Sequence, residues 1–291
     1  MMAAKGDSLI KAGYKIARTL TRIHARTFYF ASLFLTAAQK PAVYSVYAIC
    51  RRSDDIVDTE GNSDRKKDLA AMENKITHAY SNEPLPDPLL AAFRHTVHEY
   101  AIPKSYFDEL LKGMAMDLEK PRYENFQELS LYCYRVAGVI GLIILKIFKT
   151  DTPEAEPPAI ALGIAMQLTN ILRDIREDYL KKRIYVPQDE LRRFGVTETQ
   201  LAQHTVDNNF IALMRFQIDR AHEYYRQSAE GVKLIKAARD RYVAGIMKEA
   251  YEKILDEIEL KNYDIFSQKV FVPLRKKIMT ALRLLGKETW A

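Results

Sequence analysis

Gln167-Leu168-Thr169-Asn170-Ile171-Leu172-Arg173-Asp174-Ile175-Arg176-Glu177-Asp178 embeds two aspartates, four residues apart, in an apolar, arginine-bearing segment. The same spacing recurs far upstream, in Cys50-Arg51-Arg52-Ser53-Asp54-Asp55-Ile56-Val57-Asp58. If both segments are helical, Asp54 stacks on Asp58 and Asp174 on Asp178, each pair on one face and about 6 Å apart along the axis. Like charges so placed repel and cost an unaided helix about 0.2–0.5 kcal/mol. A cost incurred twice asks for a compensating cation. Hard oxygen ligands on facing helices suit Mg²⁺, which takes one or two carboxylates plus substrate phosphates. A lone pair of this kind is ordinarily a solvated acidic face, but the apolar setting of both copies argues against that reading.

Working outward, nearly every segment reads as helix. The periodicity predicts helices over about 8–20, 21–36, 41–58, 65–80, 87–100, 104–119, 125–148, 155–180, 207–235, 238–260 and 268–285. Pro41, Pro103 and Pro153 suit first helical turns. Ser81 to Pro88 is a loop too short for a domain linker, and Arg183 to Asp189 is irregular. With no succession of alternating strands, the expectation is one all-α domain over 1–291, a helical bundle around a central cavity. The longest apolar run, Val136 to Leu145, is shorter than the roughly 20 residues that cross a bilayer and reads as a buried helix. Gly138 and Gly141 within it cost about 1 kcal/mol each relative to alanine. Close helix packing or a close-lying ligand would offset that cost, and the sequence leaves both open.

Two cysteines, Cys50 and Cys133, imply no disulfide framework and point to a reducing, cytoplasmic setting. The first eight residues lack a hydrophobic signal region, and 282–291 lacks the apolar length of a membrane helix. The net charge of +6 comes from 44 basic and 38 acidic residues. Basic residues are scattered through periodic segments, with local clusters at Lys181-Lys182-Arg183, Arg192-Arg193 and Arg275-Lys276-Lys277. A nucleic-acid protein concentrates its basicity on one face or tail, so no nucleic-acid partner is expected. Polyanionic substrates or transient contact with an anionic membrane surface fit better.

Two facing acidic helices form a negative cavity mouth that needs a divalent cation and an anionic ligand, and a diphosphate supplies the latter. Arginine adds planar donors for phosphate oxygens. Arg51, three residues before Asp54, and Arg173, beside Asp174, both suit that role. For Arg173 a salt bridge to the neighbouring carboxylate competes with phosphate contact. A hydrocarbon tail would need an apolar wall below the mouth. Candidates are Phe28, Phe30, Phe34, Tyr44, Tyr47, Val136, Ala137, Ile140, Leu142 and Leu168, each equally suited to plain core.

These motifs resemble the squalene/phytoene synthase family, the head-to-head prenyl transferases. The matching pieces are His24-x-x-x-Phe28, Tyr47-Ala48-Ile49-Cys50-Arg51 with Asp54-Asp55-x-x-Asp58, Tyr132-Cys133-Tyr134-Arg135-Val136-Ala137-Gly138, the segment Gln167 to Asp178, and Arg183-Ile184-Tyr185-Val186-Pro187. Tyr251 and Arg275 also match, so the resemblance spans about residues 14–280. It implies an all-α isoprenoid-synthase-type fold that joins two prenyl diphosphates. One substrate loses diphosphate to give an allylic cation, and attack by the other's double bond yields a cyclopropylcarbinyl diphosphate that then rearranges.

Carried over by position, Asp54, Asp58, Asp174 and Asp178 become metal ligands assisted by Asn170, for Mg²⁺ or Mn²⁺. Arg51, Arg275 and Tyr251 become diphosphate contacts. Tyr132, Gln167 and Tyr185 sit near the reacting carbons. His24, Phe28, Ser32, Tyr44, Tyr47, Val136, Ala137 and Arg173 complete the substrate site.

Within the family, Tyr132 to Gly141 and Val186 to Leu191 resemble phytoene synthases most closely. Ser32, one turn after Phe28, is small where a bulky side chain would shorten the cavity. The expected reaction is therefore two geranylgeranyl diphosphates to phytoene, without NADPH. The alternative is a dehydrosqualene or squalene synthase using farnesyl diphosphate. A catalytically inactive assembly factor of the same fold is the alternative from another class, and it has no need of two repelling aspartate pairs.

Overall fold

The structure, a computed structural model, describes residues 2–59 and 64–286. Helix α1 (Met2–His24) is followed by the short α2 (Arg26–Ser32), then α3 (Gln39–Asp58), α4 (Arg65–Ala79), α5 (Pro88–Glu99) and α6 (Lys104–Glu119). Next come α7 (Phe126–Cys133), a π-helical turn (Tyr134–Gly138) and α8 (Val139–Ile147). A 3₁₀ turn leads into the long α9 (Glu156–Leu180), then α10 (Gln188–Phe194), α11 (Glu198–Ala202), α12 (Asn208–Leu234), α13 (Ala238–Leu260) and α14 (Leu274–Leu285). Among the described residues there is no strand, only an isolated bridge between Arg122 and Ile184. The all-α expectation holds.

Local chemistry explains the boundaries. Asp87 caps α5, its Oδ1 accepting from the Leu89 and Leu90 amides at 2.7 and 3.1 Å. The other oxygen takes Arg52 at 3.0 Å, which ties α3 to the start of α5. Asn125 and Asp207 cap α7 and α12 in the same manner.

Where the periodicity misled, a backbone cause is visible. Residues 8–20 and 21–36 do not divide at 20: α1 continues to His24, Ala25 leaves helical geometry (φ −130°, ψ 60°), and α2 ends at Ser32. The last helix starts at Leu274 rather than 268, because Pro273 stands extended before it (ψ 147°) and has no amide to donate. The predicted helix 125–148 is interrupted by the π turn, a device often found where a helix borders a functional site. The short α10 and α11 were not anticipated. A left-handed Gly195 (φ 67°) ends the first, and a Thr197–Gln200 capping box starts the second.

Two large apolar clusters flank the centre. One joins α1, α3, α5, α6 and α8 through residues such as Ile49, Phe93, Phe107 and Ile143. Phe93 and Phe107 meet edge to face at 4.8 Å. The other joins α7, α9, α12 and α13 through Leu172, Phe210, Tyr225 and Leu255. A smaller third cluster fastens α2 and α14 to α13 through Ala31, Tyr242, Ile246, Ala281 and Leu284.

The rod Phe126–Ile147, 22 residues containing an 18-residue window of mean hydropathy 1.6, is long and apolar enough to cross a membrane by length and composition. The sequence reading considered only the run 136–145, so it is corrected on length. Val139, Ile143 and Ile147 are nonetheless fully buried inside the protein, in keeping with a core helix. A Cβ on Gly141 would stand 2.3 Å from the Ala159 carbonyl oxygen, and one on Gly163 would stand 2.2 Å from that of Ala137. Close packing of α8 and the π turn on α9 therefore accounts for Gly141.

Candidate active site

A cavity of about 410 Å³ lies between the two large clusters. Along α3 its lining passes from Val43 and Val46 through Tyr47 and Cys50 to Arg51 and Asp54. Along α9 it passes from Pro158 and Leu162 to Gln167 and Asn170. Both helices thus grade from apolar to polar in the order of their sequence. Asp58 lies one turn beyond the lined part of α3, and Asp174 and Asp178 lie one and two turns beyond that of α9. Asp117 of α6, Tyr132 of α7 and Tyr251 of α13 complete the polar end. Leu35, Leu145, Phe148, Ile235 and Val243 line the apolar remainder.

Most acids at the mouth are held by cations of the protein itself. Arg51 contacts Asp55 at 2.5 Å and Asp54 at 3.5 Å. Lys181 and Arg183, on the turn after α9, reach across to Asp58 at 2.7 and 2.6 Å. Arg173 donates from Nε to Asp174 at 2.8 Å, with a second bond from Nη2, and Lys269 approaches Asp174 at 3.6 Å and Glu177 at 2.7 Å. The salt-bridge alternative for Arg173 is thus the one seen. Among the described contacts, the Asp178 side chain has no ion pair.

Burial, and then repulsion from Asp174, push the Asp178 carboxyl up to about 8. Burial, and then Asp58, push that of Asp54 up to about 6, although 42% of its side chain remains open. Its place at the mouth reconciles the two: protein crowds it on one side and solvent meets it on the other. Burial would raise Asp58 too, but the bonds from Lys181 and Arg183 outweigh it and hold that carboxyl below its usual range.

This arrangement fits a divalent cation that also binds phosphate. Among the described residues, no three acid, histidine or cysteine side chains gather closely enough to hold a bare ion. Two acidic pairs with basic neighbours instead suit ions bridged by a polyanionic ligand, the habit of Mg²⁺.

The charges predict a pH dependence. Asp54 and Asp178 have folded-state values above 3.8, so the folded protein holds their protons more tightly than the unfolded chain. Their contribution is fully present below pH of about 4 and is lost as pH rises through about 6 and about 8. The metal-free Tm should fall over that range, and Mg²⁺ with inorganic diphosphate should flatten the profile. Differential scanning calorimetry checks this, and a metal-free Tm that stays level would show that the acids are not strained.

The structure brings most of the sequence-named residues together. Phe28, Ser32, Tyr47, Arg51, Asp54, Tyr132, Val136, Ala137, Gln167, Asn170 and Tyr251 all line the cavity. Phe28 stacks on Tyr47 at 5.9 Å, and Asn170 lies 3.5 Å from the Gln167 amide oxygen. Tyr185 stands behind Tyr132, ring to ring at 5.0 Å, outside the lining.

Other named residues lie off the lining. His24 is exposed at the end of α1 and off the lining, because the break at Ala25 turns the chain there. Tyr44 is buried behind Ser32, its hydroxyl 2.9 Å from the serine's, and stacks on Tyr29. Phe30, on α2's other face, and Phe34, just beyond the end of α2, pack against the third cluster. Leu142 and Leu168 are buried core residues off the lining. Arg275 is exposed on the first turn of α14 and off the lining, whereas Lys269, six residues earlier, is the basic side chain that reaches the second acidic pair.

Sequence reasoning missed Asp117 as well as Lys269. Asp117 accepts hydrogen bonds from Tyr185 at 2.6 Å and Tyr132 at 3.0 Å. Burial raises its carboxyl, with Arg183 and the two tyrosine bonds pulling the other way. A lone acid on an amphipathic helix offers no spacing to notice. Lys181 and Arg183 were visible as a basic cluster, but their partner Asp58 lies more than 120 residues away in the chain.

Comparison with known proteins identifies the family. A model of the squalene/phytoene synthase family matches residues 21–276. A phytoene synthase of Arthrospira platensis is 37% identical, over 95% of this chain and 92% of its own length. A 15-cis-phytoene synthase of Synechocystis sp. is 34% identical, over 95% and 86%. The crystal structure of a dehydrosqualene synthase with bound ligand superposes with a TM-score of 0.89 at 28% identity, covering 96% of this chain and 98% of that one. Prenyl transferases of this kind generally need a divalent metal, in keeping with the paired acids. The chain belongs to the squalene/phytoene synthase family.

Proposed function

We propose that this protein condenses two geranylgeranyl diphosphates head to head, through a cyclopropylcarbinyl diphosphate, to 15-cis-phytoene, releasing diphosphate and using no NADPH. The observation that carries this reading is the grading of one cavity from two opposed acidic pairs to an apolar interior. Relatives named phytoene synthase, at 37% and 34% identity over nearly the full chain, support the C20 substrate.

Asp54, Asp58, Asp174 and Asp178, with Asn170, would hold Mg²⁺, for which Mn²⁺ would substitute. When bound, the metal neutralises the departing diphosphate. Arg51, Lys181, Arg183 and Lys269 offer donors to phosphate oxygens once their carboxylates turn to metal. Phe28, Tyr47 and Tyr132 present aromatic faces that attract cations, and the apolar walls exclude water that would quench them.

Purified protein incubated with C15 or C20 diphosphates, with and without NADPH, should yield phytoene from the C20 substrate alone. Squalene or dehydrosqualene as the main product would overturn the substrate assignment. No hydrocarbon from either substrate would favour the inactive assembly factor.

We further propose a cytoplasmic protein in peripheral contact with anionic lipid. Helix α14 buries Ala281 and Leu284 while Leu274, Ile278, Met279, Leu282 and Leu285 stay exposed beside Arg275, as does Phe271 just before it. An apolar stripe with basic flanks suits an anionic bilayer surface. It lies next to α2, whose Phe28 and Ser32 line the cavity. Flotation with anionic liposomes should be partial, salt-sensitive and weakened by Leu282→Glu. Salt-resistant pelleting would contradict peripheral contact, and an unaffected variant would move the surface elsewhere.

A further inference from the structure

Asp117 is the acid at the cavity's polar end that neither aspartate pair includes. Its Oδ1 accepts the Tyr185 hydroxyl at 2.6 Å and its Oδ2 that of Tyr132 at 3.0 Å. The two rings stack at 5.0 Å and 26°, and Tyr123 backs them at 5.5 Å from Tyr132 and 5.9 Å from Tyr185. Tyr132 lines the cavity while Tyr185 does not. A phenol has one proton: Tyr185 commits its own to Asp117, and the Tyr132 hydroxyl, 3.0 Å from Asp117 and 3.2 Å from the Tyr185 hydroxyl, gives its proton to the stronger, charged acceptor. Donation to a negative acceptor also enriches the ring, and the ring face is what attracts a cation.

Accepting one hydroxyl on each oxygen takes two acceptor oxygens, which a carboxylate supplies and an asparagine side chain does not. Asp117 stands there although it is close enough to Asp54, Asp58 and Asp178 to feel their repulsion, and a carboxylate so placed acts on both phenols through charge-assisted bonds.

We propose that Asp117 is a positioning residue for the cationic steps: by accepting both hydroxyls it orients Tyr132 toward the cavity and polarises it, with Tyr185 as the second arm of the clamp. This inference rests on the head-to-head reading above. Tyr132 touches the substrate, and Asp117 acts through it, sheltering the rearranging cation from capture before the hydrocarbon forms.

Asp117→Asn preserves shape but turns an NH₂ toward one tyrosine. We expect kcat to fall about 100-fold, the scale of losing one preorganised electrostatic contact. KM for geranylgeranyl diphosphate should stay within about threefold, since ground-state binding is unchanged. The cyclopropylcarbinyl diphosphate, and the alcohols formed when its diphosphate leaves and water captures the cation, should become a large share of product. The Tm gain from Mg²⁺ plus inorganic diphosphate should persist, which a metal ligand would not allow.

Tyr185→Phe removes one arm without altering charge, and should leak the same products with about a tenfold loss in kcat. It decides the matter by product share if Asp117→Asn does not fold. Unchanged kcat and products in Asp117→Asn, or loss of the Tm gain, would overturn the inference. Wild-type protein that makes no hydrocarbon would instead sink the head-to-head reading itself.

Discussion

Asp54→Asn is expected to lower turnover at least about 100-fold while leaving the metal-free fold as stable as before, or more so. The carboxyl is pushed up to about 6 by burial and by Asp58, so a neutral amide relieves strain. Arg51 keeps its closer partner, Asp55, at 2.5 Å. Asp174→Asn should impair turnover similarly, yet its stability should move the other way. Arg173 is only 20% exposed and donates twice to Asp174, so the substitution leaves a nearly buried guanidinium short of its counter-ion. One change of charge, made at the two motifs, thus predicts a Tm that holds or rises in the first variant and falls in the second. Steady-state kinetics with calorimetry on both variants checks the pair. Near-normal turnover in either would remove that aspartate from the metal site.

Ser32→Phe should shift selectivity from C20 toward C15 substrate by about 10-fold or more. Ser32 is 2% exposed, lines the cavity, and has its hydroxyl donating to the Tyr29 carbonyl at 2.7 Å and 2.9 Å from that of Tyr44. A phenylalanine there must place its ring in the tail space, where overpacking costs about 1–3 kcal/mol. The longer chain meets that ring and the shorter one need not, so dehydrosqualene should rise relative to phytoene. The variant also strands the Tyr44 hydroxyl, a buried-group penalty of about 1–3 kcal/mol that lowers Tm without touching selectivity. Competition between the two substrates separates these effects. Equal losses with both would mean that Ser32 does not set chain length.

The acidic motifs were legible because repetition of a costly pattern is itself a signal, and the helices bearing them were marked by long apolar periodicity. The π turn at Tyr134–Gly138 was not, since a bulge of one residue leaves local composition unchanged. Which apolar residues line the cavity was only partly readable. Phe28 and Phe30 are two positions apart on one short helix, so one faces the cavity and the other the third cluster. Arg275 and Lys269 show the limit most clearly. Both are basic residues near the last helix, and only the fold of the segment before Pro273 reveals which one reaches Asp174.

The lysines and arginines that occupy the carboxylates make filling of this site cooperative. A cation arriving alone must displace Lys181 and Arg183 from Asp58, or Arg173 and Lys269 from Asp174, and it strands those positive charges. A diphosphate arriving alone meets the field of Asp54 and Asp178. Together, each gives the other's displaced or repelled charges a partner, so each tightens binding of the other by the same factor. On the proposed reading the resting molecule binds either ion only weakly by itself, and magnesium in solution leaves the site open until a prenyl diphosphate arrives to be held with it.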